Sequence, residues 1–216
     1  MDLKKLHKRL TKDIRDQVDC INFRCEFPRT MKITQTAIYK LTIPMEPFVI
    51  ATETSYYAQN TFIRIHTDSG LTGVGECSAF PMLVGETQQT CFEVAKDFAR
   101  ILKGKDPLAI ESRMQDLHNY IAFNSTIKSA FDIAFHDLLA QQKGIPLYQL
   151  LGGVSRRTLH TDYTVSLADK EKMVADAVWI RDRGFPVIKV KLGGDPNEDI
   201  RRIQAIRAAV GNDIRI

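Results

Sequence analysis

The sequence predicts an α+β unit of three antiparallel strands followed by helices, and after it a run of parallel βα units. Three observations carry this: strand-like alternation of polar and apolar residues over 31–78, helical spacing of apolar residues over 86–144, and alternation of strand and helix from residue 160 onward. A chain of 216 residues with 44% hydrophobic and 26% charged residues has a globular balance, which excludes a disordered or collagen-like polymer.

No window approaches the roughly 18 uninterrupted apolar residues of a membrane-spanning helix, and MDLKKLHKRLTKD has no apolar signal-peptide core. The expectation is a cytoplasmic protein with no membrane partner. The net charge of +4 is concentrated in residues 1–30, where eight Lys/Arg face five Asp/Glu, so the remainder is close to neutral. No basic stripe interleaved with aromatics remains, and a nucleic-acid partner is not expected.

Residues 1–30 stand apart. Leu3, Leu6, Leu10, Ile14 and Val18 recur at helical spacing, which predicts an amphipathic helix over 2–19, with Pro28 closing the segment. It reads as a solvated appendage or as sequence ahead of a natural start at Met31, with a partner-binding helix as the rival. From there KITQTAIYKLTI alternates as a strand, and Pro44 and Pro47 interrupt it. TFIRIHT and LTGVGECS follow, joined by Asp68-Ser69-Gly70, which reads as a hairpin.

Helices are predicted over 86–102, with Phe92, Ala95, Ala99 and Leu102 on one face, and over 107–120. A third, SAFDIAFHDLLAQQKG, ends at Gly144 as a helix C-terminus should. After Leu151-Gly152-Gly153 the order becomes strand 160–166, helix 169–183, strand 186–192, helix 196–210 and a strand from 214. If these units belong to a (β/α)8 barrel of roughly 250 residues, most of it is missing from this chain.

The most informative chemical feature is Lys189-Val190-Lys191 in the second βα strand. Side chains alternate, so the two lysines share a face with Val187, while Ile188, Val190 and Leu192 point the other way. In a barrel that face is the interior near the C-terminal end, where active sites are built. Burial and mutual repulsion there would favour the neutral amine, the form a general base needs. The competing reading is an open sheet with both lysines solvated.

Other candidates fail. Gly70, Gly73 and Gly75 do not form G-x-G-x-x-G before a helix, and no G-K-[ST] loop or G-x-S-x-G elbow occurs. His7, His66, His118, His136 and His160 lack the i, i+4 pairing of metal ligands. Asp132 and Asp137, inside an apolar helix, read as structural, and Asp195 before Pro196 as a helix N-cap. Cys20, Cys25, Cys77 and Cys91 form no C-x-x-C pair and read as reduced thiols.

The run from Ser129 through Ser-Ala-Phe-Asp-Ile-Ala-Phe-His-Asp-Leu-Leu to Leu-Leu-Gly-Gly153, followed by the K-x-K strand, resembles the muconate-lactonizing and mandelate racemase branch of the enolase superfamily. The resemblance covers residues 31–216. It implies an N-terminal extension (1–30), an enolase-like α+β capping domain (31–153), and the first βα units of an incomplete (β/α)8 TIM barrel (154–216), cut off at the start of its third strand. Thr161-Asp162-Tyr163-Thr164-Val165 and Val84-Gly85-Glu86-Thr87 are similar to the dipeptide epimerases, whose best-known substrate type is L-Ala-D/L-Glu.

The activity implied is removal of the proton beside a carboxylate or amide carbonyl, giving an enolate held by magnesium. By position Lys191 matches the base, and Lys189 the lysine that stabilises the enolate. A second base is expected on a later strand. The three carboxylate ligands of the metal belong to barrel strands beyond residue 216, so no residue here is assigned to magnesium. Residues 44–55 and 80–87 match two loops that close over substrate, with Phe48, Thr52 and Met82 as candidates to line the pocket beside Thr161 and Thr164; interdomain packing is the equal alternative for the first three. A small-molecule substrate, with a dipeptide favoured, and a possible homo-oligomer follow. Muconate cycloisomerase, N-acylamino-acid racemase and o-succinylbenzoate synthase activities stay open, as does a non-catalytic interaction protein.

Overall fold

The computed structural model describes residues 30–154 and 158–216. The expected helix over 2–19, with His7, Cys20 and Cys25, lies outside the described residues. Among those described, the first sheet is antiparallel in the order β1 (Ile33–Val49), β2 (Thr54–Thr67), β3 (Thr72–Ser78). The β2–β3 hairpin turns at Asp68-Ser69-Gly70 as predicted. Gly70 adopts φ +85°, a conformation glycine takes without steric cost, and Asp68 Oδ1 accepts the Lys32 N–H at 2.8 Å.

The interruption expected at Pro44 and Pro47 is not a loop. β1 runs through both prolines to Val49, pairing Phe48 with Ser55 and Val49 with Thr54 after a register shift between Pro44 and Phe48. β1 is an edge strand, where a missing N–H is tolerated, and the bulge absorbs the extra residues. Only Ile50-Ala51-Thr52-Glu53 turn the chain, closed by the Ile50 N–H to the Glu53 carbonyl at 3.0 Å.

Five helices complete this part: α1 (Pro81–Val84), α2 (Gln88–Leu102), α3 (Ile110–Tyr120), α4 (Ser125–Lys143) and α5 (Leu147–Leu150). α2 begins two residues later than predicted, because Thr87 and Thr90 form a reciprocal capping box. Its buried face is Cys91, Ala95, Phe98 and Leu102, so the expected stripe is displaced. Phe92 sits at the rim, with the ammonium groups of Lys40 and Lys96 at 5.1 and 4.5 Å from its ring centroid.

α4 is longer than its apolar run suggested and ends at Gly144 in the left-handed conformation, as predicted. It lies against β3. A Cβ on Gly73 would stand 2.3 Å from the Ala134 carbonyl oxygen, so glycine is what lets strand and helix approach. Asp137 Oδ2 accepts the Val74 N–H at 2.9 Å and Gln141 Nε2 donates to the Thr72 carbonyl at 2.9 Å, covering backbone groups of the β3 edge. Phe98, Phe131 and Phe135 join Ile63 and Ile65 in the core, with Phe98 and Phe131 edge to face at 5.4 Å.

The second sheet is parallel: β4 (Tyr163–Val165) beside β5 (Ile188–Val190), each followed by a helix, α6 (Lys170–Asp182) and α7 (Pro196–Val210). Both strands are shorter than predicted. A parallel bridge from Val187 to Arg215 continues the order to a third strand position. α6 is capped by Asp169, which accepts the Lys172 N–H at 2.8 Å, and α7 by Asp195, which accepts the Asn197 N–H at 2.6 Å. Val165 and Ile188 pack with Met173, Ala177, Ile180, Ile206 and Val210 under these helices. Among the described residues no helix is long and apolar enough to cross a membrane.

Candidate active site

The face of the parallel sheet turned away from α6 and α7 is polar, as alternation requires. Val165 and Ile188 are buried on the helix side, so Thr164 and its register partner Lys189 point the other way, and Lys191 does so two residues later. The Lys191 N–H donates to the Val165 carbonyl at 3.0 Å, which holds the lysine pair beside the exit of β4. The burial expected for both lysines is not met in this chain. Lys189 is exposed and Lys191 half-buried, because the described residues put two short strands and one bridge on this face.

The tip of the β1–β2 hairpin is seated on the same end of the sheet. Val49 accepts the Leu167 N–H at 3.1 Å, and the Pro47 carbonyl accepts the Ser166 hydroxyl at 3.4 Å. Gly193, after β5, lies so close to the tip that a Cβ there would be 2.5 Å from the Ala51 Cβ. Between these contacts the Phe48 ring stands 5.4 Å from Lys191 Nζ. The structure therefore brings together Phe48, Thr164, Lys189 and Lys191.

The remaining expected residues are more peripheral. Thr52 is exposed in the hairpin turn. Thr161 is exposed, its hydroxyl donating to the Asp162 carbonyl at 3.1 Å. Met82, on α1, is 68% exposed. A cavity of about 490 Å³ opens beside the hairpin, lined by Pro47, Tyr163, Thr164, Lys172 and Trp179 among others, but neither Lys189 nor Lys191 lines it.

One buried acid was not recognised from the sequence. Glu86, 6% exposed, accepts the N–H groups of Thr126 at 3.0 Å and Ile127 at 3.4 Å, and so closes the N-terminus of α4 from another segment. Cys91 donates to the same carboxylate at 3.6 Å. Burial pushes the Lys128 ammonium down against the pull of Glu86, and its Nζ donates to the Ile121 carbonyl at 2.7 Å. The available signal was an acid just before a Thr-capped helix, but what buries it comes from 40 residues away.

Among the described residues no group of three or more His, Cys, Asp or Glu side chains is placed to hold a metal ion.

An antiparallel α+β cap seated on the first strands of a βα barrel, with a lysine pair on the inner face, defines a class of capped barrel proteins. The sequence model of the mandelate racemase / muconate lactonizing enzyme N-terminal domain matches residues 33–152, and the chain belongs to this family of the enolase superfamily. It is 46% identical over 187 residues to the D-Ala-D/L-Ala epimerase of Cytophaga hutchinsonii, covering 86% of this chain and 51% of that protein. It is 36% identical over 189 residues to the L-Ala-D/L-Glu epimerase of Bacillus subtilis, with the same coverage. The crystal structure of the Cytophaga hutchinsonii dipeptide epimerase with Mg and D-Ala-L-Val superposes with a TM-score of 0.82, over 85% of this chain and 50% of that one. The chain spans about half the length of the curated relatives it matches.

Proposed function

We propose that the intact protein is an epimerase of dipeptides that acts by removing and returning a proton beside a carbonyl group. The observation that supports it is the lysine pair on the inner face of β4 and β5, with the cap hairpin seated over it. In this reading Lys191 takes the α-proton. Charge then develops on the carbonyl oxygen, and the Lys189 ammonium lowers its energy through a fixed electrostatic contact. Thr164, beside Lys189, orients the substrate, and the hairpin tip with Phe48 and Thr52 keeps water from the enolate together with Met82. Thr161 lines the approach.

Magnesium enters the proposal only for the intact protein, held by residues other than those described. The return of the proton on the opposite face is assigned to no residue of this chain. The division into an extension (1–30), a cap (31–153) and a barrel start (154–216) is part of the same proposal.

The test is loss of the substrate α-proton signal in deuterated water, followed by proton NMR, with the intact protein and L-Ala-L-Glu, L-Ala-L-Ala or an N-succinyl amino acid. Exchange with the dipeptides is expected, and Lys191→Ala should slow it on the order of 10³-fold. Exchange retained in that variant removes Lys191 as the base. Exchange with the N-succinyl compound alone turns the reading to an acylamino-acid racemase.

A further inference from the structure

We propose that Phe48 is a positioning residue for Lys191: its ring fixes the amine at the end of β5, and through it the cap hairpin sets where proton transfer occurs. The inference rests on the epimerase reading for its consequence, but the contact itself does not.

A lysine side chain has four rotatable bonds, and Lys191 is half-buried just past the end of β5, so its ammonium needs a local partner to occupy one place. The Phe48 ring centroid lies 5.4 Å from its Nζ, inside the ~6 Å reach of cation–π attraction. The ring is itself held. The residues on either side of it, Pro47 and Val49, both accept hydrogen bonds from the exit of β4, and Ala51 abuts Gly193 beyond β5. The bulge between Pro44 and Phe48 shifts the register of β1 so that Phe48 is paired with Ser55 at this height, the usual effect of a bulge being to re-aim a side chain. A pinned aromatic face beside a flexible amine therefore removes rotamers that would carry the nitrogen away from the inner face.

The experiment uses the intact protein with Phe48→Leu, which keeps apolar bulk without a ring, and Phe48→Tyr, which keeps the ring. Lysines are labelled by reductive methylation with ¹³C-formaldehyde, and the Lys191 resonance is assigned by its loss in Lys191→Arg. It should lie at a ring-shifted position in the unsubstituted protein and in Phe48→Tyr, and move to the bulk lysine position in Phe48→Leu. In unlabelled protein Phe48→Leu should lower kcat for α-proton exchange on the order of ten-fold with KM little changed, and Phe48→Tyr should recover most of it. An unmoved Lys191 resonance in Phe48→Leu overturns the proposal. So does a raised KM at unchanged kcat, which would make Phe48 a substrate contact alone. If the unsubstituted protein shows no exchange, the epimerase reading falls, and the resonance decides the relation of Phe48 to Lys191 by itself.

Discussion

Gly75 of β3 and Ala130 of α4 meet backbone to backbone: a Cβ on Gly75 would stand 1.8 Å from the Ala130 carbonyl oxygen. The neighbouring Val74 N–H is bonded to Asp137, about two helical turns further along, so strand and helix are locked in register. The glycines of TGVGECS, which fit no phosphate-binding pattern, are explained by this approach.

Gly75→Ala is accordingly expected to cost about 3 kcal/mol or more, since the obstructing atom is backbone and has no flexible end to yield. Urea unfolding of the intact protein measures it. A midpoint within experimental error of the unsubstituted protein would mean that α4 does not sit this close to β3.

Glu86 is expected to support α4 through the Thr126 and Ile127 N–H groups. Glu86→Ala leaves these donors without their acceptor in a buried place and should cost about 2 kcal/mol, whereas Glu86→Gln, which keeps one carbonyl oxygen, should cost less. Thermal unfolding of both variants checks the order. Equal loss in the two would point to packing rather than hydrogen bonding.

Asp116 links α3 to the preceding loop. It accepts from Arg113 Nε at 2.8 Å and pairs with Lys105 Nζ at 2.9 Å. Burial pushes its carboxyl up, but the hydrogen bonds from Lys105 and Arg113 outweigh that and hold it below the usual aspartate range. A lowered folded value means the stabilisation is fully present above the ordinary pKa of about 3.9 and is lost as pH falls through the folded value. Asp116→Asn should therefore cost about 1 kcal/mol at neutral pH, the pair being partly exposed, and the difference should shrink in acid. Urea midpoints across the acid range test this; a difference that is constant with pH would contradict the ion-pair account.

Lys189→Met should slow α-proton exchange in the intact protein on the order of 10²-fold, the usual cost of removing one charge-stabilising donor. Its register partner Thr164 stays in place, so substrate affinity should change less than kcat. Steady-state exchange kinetics separate the two. A pure KM effect would reassign Lys189 to binding.

Several elements were legible because their signals are local. α7 runs from Pro196 to Val210 as expected, since Asp195 caps it, Pro196 suits the first helical position and Gly211 follows its end. Gly144 and the Asp68-Ser69-Gly70 turn likewise need only their own backbone conformation. The face shared by Lys189 and Lys191 follows from strand alternation once β5 exists.

Other features needed segments distant in the chain. Pro44 and Pro47 read as strand breakers until β1 is seen to be an edge strand, where a missing N–H is tolerated. Phe98 rather than Phe92 enters the core because α2 is rotated by its contacts with the sheet and α4, which the bare periodicity leaves open by one residue. Glu86 is buried only when the start of α4 arrives above it. The seating of Phe48 beside Lys191 joins residues 143 apart in sequence number, through a bulge, two hydrogen bonds and a glycine with no side chain in the way. Caps, turns and alternation are short-range steric and hydrogen-bonding effects, so the order of residues suffices for them. Which side chains meet at the lysine pair depends on how the two sheets pack, and that is a matter of long-range contact.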